Sequence, residues 1–173
     1  VNAVDERFLT EFEYIPDKTF SVNPHQGGKG RLFTGPHEAV AGWMAAKQLG
    51  IEPGMVFNPV CGINESGVVH ENDLITFVGV LAPTGTPHDR AIYIPLTTFY
   101  GLHGHPEETV LMAALSEYRE ISGAYIQLRR IRGGAMHPGV QDLKYAINQS
   151  DQNQLVVPAE VMPRLYHIIG WID

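Results

Sequence analysis

The stretch that constrains this chain most is Leu74-Ile75-Thr76-Phe77-Val78-Gly79-Val80-Leu81. It is rich in β-branched and aromatic residues and is apolar at nearly every position. An amphipathic strand alternates, whereas a strand covered on both faces does not. This one is therefore predicted to run through the middle of a sheet. The segment that follows, Ala82-Pro83-Thr84-Gly85-Thr86-Pro87-His88-Asp89-Arg90, has the chemistry of a tight loop. Proline presets φ there and glycine accepts conformations that other residues avoid. Ala91-Ile92-Tyr93-Ile94-Pro95 reads as a second strand, with Pro95 at its end because proline cannot donate to a ladder. Leu96 to Leu102 reads as a short helix closed by Gly101 or Gly104.

Upstream, Phe8 to Ile15 alternates only in part and fits a strand or a short helix. Asn23 to Gly30 reads as a flexible glycine-rich loop. It is not a phosphate loop, because no Gly-Lys-Ser/Thr ending closes it and no buried strand leads in. Glu38-Ala39-Val40-Ala41-Gly42 is a short apolar strand. Trp43 to Leu49 is a strong helix former stopped by Gly50. Met55 to Val60 reads as a strand, and Gly62 to Gly67 turns the chain toward Val68, Val69 and the central strand. Strands and helices do not alternate regularly, so the fold class expected is α+β, a mixed sheet with a few packed helices.

Downstream, residues 105–118 read as a helix or a loop with a helical turn. Ile121 to Arg129 alternates, with Tyr125 and Gln127 opposite Ile126 and Leu128, and is predicted to be a strand. Pro138 opens a helix with Val140, Leu143 and Ile147 on one stripe. Leu155-Val156-Val157 reads as a short strand. The last helix starts at Pro158, carries Val161, Leu165, Ile168 and Ile169 on one stripe, and meets a potential kink at Pro163. One core domain over residues 1–173, with a smaller lobe within about 105–135, is the expected organisation.

Charge and chemistry narrow the function classes. A formal net charge of −7 argues against a nucleic-acid partner. The three arginines of Arg129-Arg130-Ile131-Arg132 read as a solvated strand end. Cys61 is the single cysteine, so no internal disulfide forms. It also lacks a helix N-terminus behind it to lower its pKa, and reads as a structural thiol. No segment reaches the roughly 18 apolar residues of a membrane span. Of eight histidines, His103 and His105 stand two apart near Glu107 and Glu108. A metal could use that pair, but no third ligand stands at a recognised spacing. His37-Glu38 and His70-Glu71 lack the helical spacing of zinc proteases. Glu11 with Glu13, and Glu107 with Glu108, read as solvated faces. His88-Asp89-Arg90 matches a kinase catalytic loop in spelling only. No catalytic, cofactor-binding or metal-binding residue is therefore assigned.

Several of these stretches together resemble one family. They are Glu38 to Gly42 with the helix at 43–49, Leu49-Gly50-Ile51-Glu52-Pro53-Gly54, Phe77-Val78-Gly79-Val80-Leu81, Ala82-Pro83-Thr84-Gly85-Thr86-Pro87 with Asp89-Arg90, and Ile92-Tyr93-Ile94-Pro95-Leu96. This succession resembles the extracytoplasmic (periplasmic) core domain of MacB/FtsX-type ABC transporter permeases, over roughly residues 31–173. Pro158 to Trp171, with its Arg164-Leu165-Tyr166-His167-Ile168-Ile169-Gly170-Trp171, resembles the lead-in to the second transmembrane helix of such permeases, and an excised piece of something longer is expected. The resemblance implies a non-enzymatic job at the bacterial inner membrane, facing the periplasm, with no cofactor. It implies a cytoplasmic ABC ATPase partner, a permease homodimer or heterodimer, and in some members a periplasmic adaptor. ATP-driven motion is passed through the domain to export or extract a peptide, lipoprotein or antibiotic-like substrate. The alternatives left open are a metal- or thiol-dependent hydrolase and a free-standing ligand-binding module.

Overall fold

A computed structural model describes residues 1–61, 68–102, 121–128, 137–150 and 152–168, without the side chains of Cys61, Val68 and residues 164–168. The chain divides into two compact units, Val1–Gly123 and Ala124–Asp173. The described elements of the first are β1 (Asn2–Val4), α1 (Phe8–Glu11), β2 (Lys29–Gly30), β3 (Glu38–Ala41), α2 (Trp43–Leu49), β4 (Val56–Phe57), β5 (Val60–Cys61), β6 (Val68–Val69), β7 (Ile75–Val80), β8 (Ile92–Pro95) and α3 (Leu96–Tyr100). Those of the second are α4 (Gly139–Asn148) and α5 (Pro158–Ile168).

The main sheet has six strands in the order β1-β8-β3-β7-β2, with β4 also on β7. It is mixed: β1 with β8 and β3 with β7 are parallel, while β8 with β3, and β2 and β4 with β7, are antiparallel. The α+β class is as expected. Central β7 is bonded along both edges, by β3 on one side and by β4 and β2 in turn on the other. Alternation then sorts the core onto two faces. Ala39, Ala41, Ile75, Phe77 and Ile94 pack with Ala46 of α2 and with Ile51. Val40, Leu81 and Tyr93 pack on the opposite side with Leu9, Phe20 and Phe33. The near-continuous hydrophobicity of β7 follows, because no residue of it is exposed on either face.

Short alanines make the first face work. Ala39, Ala41, Ala45 and Ala46 are all buried, and Ala46 of α2 packs in one cluster with Ala39 and Ala41 of β3. Gly50 ends α2 at φ 67°, and its amide donates to the Ala46 carbonyl. Pro95 is the last residue of β8, as its missing N–H requires.

Several expectations need correction. The glycine-rich segment 23–30 is not all loop: Lys29 and Gly30 form an edge strand on Val80 and Gly79. Phe8–Glu11 resolves as helix, and the preceding Asn2–Val4 joins the sheet beside β8. The strand expected over 55–60 breaks into β4 and β5 at Asn58-Pro59, where Asn58 Nδ2 instead donates to the carbonyls of His70 and Glu71. Ile121 to Leu128 is not a strand; Ile121, Tyr125 and Ile126 are each more than half exposed. Alternation specifies a strand only when a partner edge and a covered face receive it. Leu155-Val156-Val157 is not a strand either. Both backbone groups of Leu155 go to the Asn148 side chain, at 2.6 Å for its N–H and 3.2 Å for its carbonyl.

In the second unit, α4 begins one residue after Pro138, and Val140, Leu143 and Ile147 are its half-buried stripe, as expected. α5 runs from Pro158 on through Pro163. Gln141 and Lys144 of α4 both bond Glu160 of α5. Residues 105–118, and with them most of the expected lobe at 105–135, lie outside the described residues.

Candidate functional site

The most organised polar structure in the first unit is the turn between β7 and β8. A 3₁₀ turn over Pro87–Arg90 folds its end, entered by Pro87 at its first position. The Asp89 carboxylate reaches back across the loop. Its Oδ1 accepts from the Thr84 amide at 2.8 Å and the Thr84 hydroxyl at 2.7 Å, and its Oδ2 accepts from the Gly85 amide at 2.9 Å. The Thr84 proton goes to Asp89, so the Thr86 hydroxyl is the donor in the 2.7 Å Thr84–Thr86 contact. Three charge-assisted bonds, reaching back four and five residues, thus hold one turn. Asp89→Ala is expected to lower stability by about 2 kcal/mol, since it strands donors in a half-buried loop. Asp89→Asn should recover part of that loss, because the amide keeps one carbonyl oxygen as acceptor. Urea unfolding of the two variants checks both.

His88 points the other way, into the second face of the core. Its Nδ1 lies 2.6 Å from the Tyr93 hydroxyl, and Tyr93 is buried on β8. One group donates to the other, either the phenol O–H to a bare Nδ1 or Nδ1–H to the phenol oxygen. Ring centroids of Phe8, Phe12 and Phe20 lie 6.0, 6.1 and 5.2 Å from that of His88. Burial holds the His88 pKa below the usual histidine range, and the Asp89 charge opposes this only in part.

The other ionisable candidates are used in holding backbone. Glu38 makes a two-pronged pair with Arg31 and accepts from the Thr34 amide at 2.8 Å. The Arg31 bonds bring its pKa down to about 2 against the cost of burial, so this carboxylate stays charged and is unsuited to proton transfer at neutral pH. His37 sits beside it at φ 60° and gives its amide to the Thr98 hydroxyl, at 2.9 Å. His70 and Asp73 are both buried, with Nδ1 and Oδ2 3.6 Å apart, in the turn that leads into β7. Glu11 is exposed, and Glu13 accepts from the Asp17 amide. Cys61 lies in β5 across from Val68.

The structure does not gather these residues into one place. Among the described residues, no three His, Cys, Asp or Glu side chains are placed to hold a metal. A recess of about 280 Å³ is lined by Val4, Asp5, Glu6, Arg7, Leu96 and Thr97. That is below the usual size of a small-molecule pocket. His103, His105, Glu107, Glu108, Arg129, Arg130 and Arg132 lie outside the described residues. Sequence reasoning misses the roles of Asp89 and His88. A signal for Asp89 exists: Thr-Gly-Thr-Pro with an aspartate two residues on is turn-capping chemistry. For His88 there is none, because its aromatic neighbours come from residues 8–20.

Comparison with protein families, with characterised proteins and with solved structures finds no match to this chain. Among the described residues, no helix is long and apolar enough to cross a membrane.

Proposed function

We propose that the chain is the extracytoplasmic domain of an FtsX-like ABC transporter permease. In this role it performs no chemistry of its own. It passes motion driven by a cytoplasmic ATPase to the export or extraction of a peptide, lipoprotein or antibiotic-like substrate. Its partners are the ATPase subunit, a second permease copy and, where the system has one, a periplasmic adaptor. The observation that carries the reading is the β7–turn–β8 unit. The segment most like the family, Phe77 to Leu96, forms two core strands joined by a turn whose carboxylate holds backbone. A lever needs such stiffness: strands bonded on both edges and loops pinned by charge-assisted bonds. The amphipathic pattern of α5 supplies an element suited to transmitting movement.

Sidedness tests the reading. Gln48 on α2 is exposed. Gln48→Cys in a Cys61→Ser background, within the full-length native protein, should react with a membrane-impermeant maleimide in intact spheroplasts. A nucleotide-hydrolysing subunit should co-purify from the same membranes. Labelling only after lysis, or isolation without any ATPase, would rule the reading out.

A further inference from the structure

The aromatic cluster around His88 joins two parts of the chain that are far apart in sequence. Phe8 and Phe12 stack on each other at 5.0 Å, and Phe8 also meets Phe20 and Tyr93. Tyr14 closes on Phe20 at 5.2 Å. The described hydrogen bonds within residues 5–18 are mostly local ones, among them Phe8 N–H to Asp5 and Tyr14 N–H to Lys18. Between β1, paired with β8, and Ser21, whose carbonyl accepts from the Ala82 amide at 2.7 Å, the aromatic side chains of residues 8–20 pack against the sheet. At the middle of that packing sits one titratable ring, His88, bonded to a buried phenol.

We propose that residues 8–20 form a strap closed over the sheet by the neutral His88 ring, and that protonation of this imidazole opens the strap. The proposal does not depend on the permease reading. The ring is half-buried and flanked by Phe8, Phe12, Phe20 and Tyr93, none of which offers a negative charge to an imidazolium. The ionisable groups on the packed elements are Asp89 and Arg90 on the turn itself, Tyr93 on β8, Glu11 on α1, Glu13, Tyr14, Asp17 and Lys18 beyond it, and Lys47 on α2. Lys47 is directed to the Trp43 ring, 5.0 Å from its centroid, and Glu13 to the Asp17 amide. Only Asp89 acts on His88 by its charge, and its oxygens already accept from Thr84 and Gly85.

The sign follows from linkage. His88 binds its proton less readily in the closed form than the ordinary histidine, whose value is 6.5. The open form therefore binds more protons as pH falls below that value. Closure is complete above it and weakens on acidification. Opening would uncover Leu9, Phe20 and Tyr93, all buried in the closed form.

Hydrogen exchange read by mass spectrometry on the 173-residue chain tests this, with rates corrected for intrinsic pH dependence. Between about pH 7.5 and about pH 5, the opening of peptides covering 8–20 should rise about threefold or more, while β3 and α2 change little. His88→Phe keeps a ring in the cluster, and His88→Gln keeps a polar partner for Tyr93. Both should abolish the pH response, whatever their basal stability. An unchanged wild type, slower exchange at the lower pH through ring faces stabilising the cation, or an equal rise in both variants would overturn it.

Discussion

Gly79→Ala should unfold the chain at a markedly lower urea concentration, with a loss of about 3 kcal/mol or more. Gly79 lies inside β7, where a side chain would normally help. A Cβ there would stand 2.1 Å from the Arg31 carbonyl oxygen, a backbone atom that cannot swing away. The crowding has a cause. β3 runs parallel to β7 in a register that passes from Phe77 to Gly79 opposite Ala39 and Val40, so Val78 is an extra residue. The bulge twists β7, and on the far edge β2 comes in antiparallel, Gly30 opposite Gly79. Arg31 then donates its amide to the Val78 carbonyl at 2.9 Å. Adding a methyl to Gly79 pushes β2 off this edge and removes its ladder bonds. Gly35→Ala is the matched control: its Cβ would meet nothing within 4 Å, and its midpoint should move little. If the two variants unfold together, the close approach of β2 is not what holds this edge.

Such a loss is large against the roughly 5–15 kcal/mol that a domain typically holds in total. It also shows where sequence reading succeeds. β7 is legible because both its faces are covered, which writes hydrophobicity at nearly every position. α2 is legible through its helix formers and its terminal Gly50. Even the bulge leaves a mark, since a lone glycine in a strand pattern signals close backbone approach. β1 and β2 are not legible. They are two or three residues long and mostly exposed, and their pairing is made by backbone atoms that every residue carries. Ile121 to Leu128 fails in the opposite sense: its pattern alternates, yet Ile121, Tyr125 and Ile126 are each more than half exposed. Leu155 is claimed by Asn148, a side-chain competitor that propensity does not register.

The polar site is legible to a lesser degree. Thr84, Thr86 and Asp89 lie within six residues, so their bonds are local and follow from turn chemistry. The His88 cluster is long-range, built from residues 8, 12, 20 and 93, and only the folded sheet brings them together. In the sequence, Glu38 stands out only for its neighbour His37. Its partner is Arg31, seven residues earlier, because β3 starts where the chain returns from β2.

The central functional claim concerns α5. Val161, Leu165 and Ile168 recur at helical spacing within α5, which spans Pro158–Ile168 with Pro163 inside it, and Ile169 lies outside the described residues. In the proposed role this stripe couples the domain to the membrane-embedded part of the permease. A carboxylate placed on it would have to be desolvated to keep that contact, at a cost of several kcal/mol, so the contact would be given up instead. The ATPase sits on the other side of the membrane and would be spared. The direct measurement compares wild type and Leu165→Asp as full-length native proteins, reconstituted in vesicles with the ATPase, with ATP hydrolysis and substrate export followed in one preparation. Hydrolysis that persists while export falls at least about tenfold, in a variant that folds normally, is the expected result. Normal folding with export unchanged would contradict it.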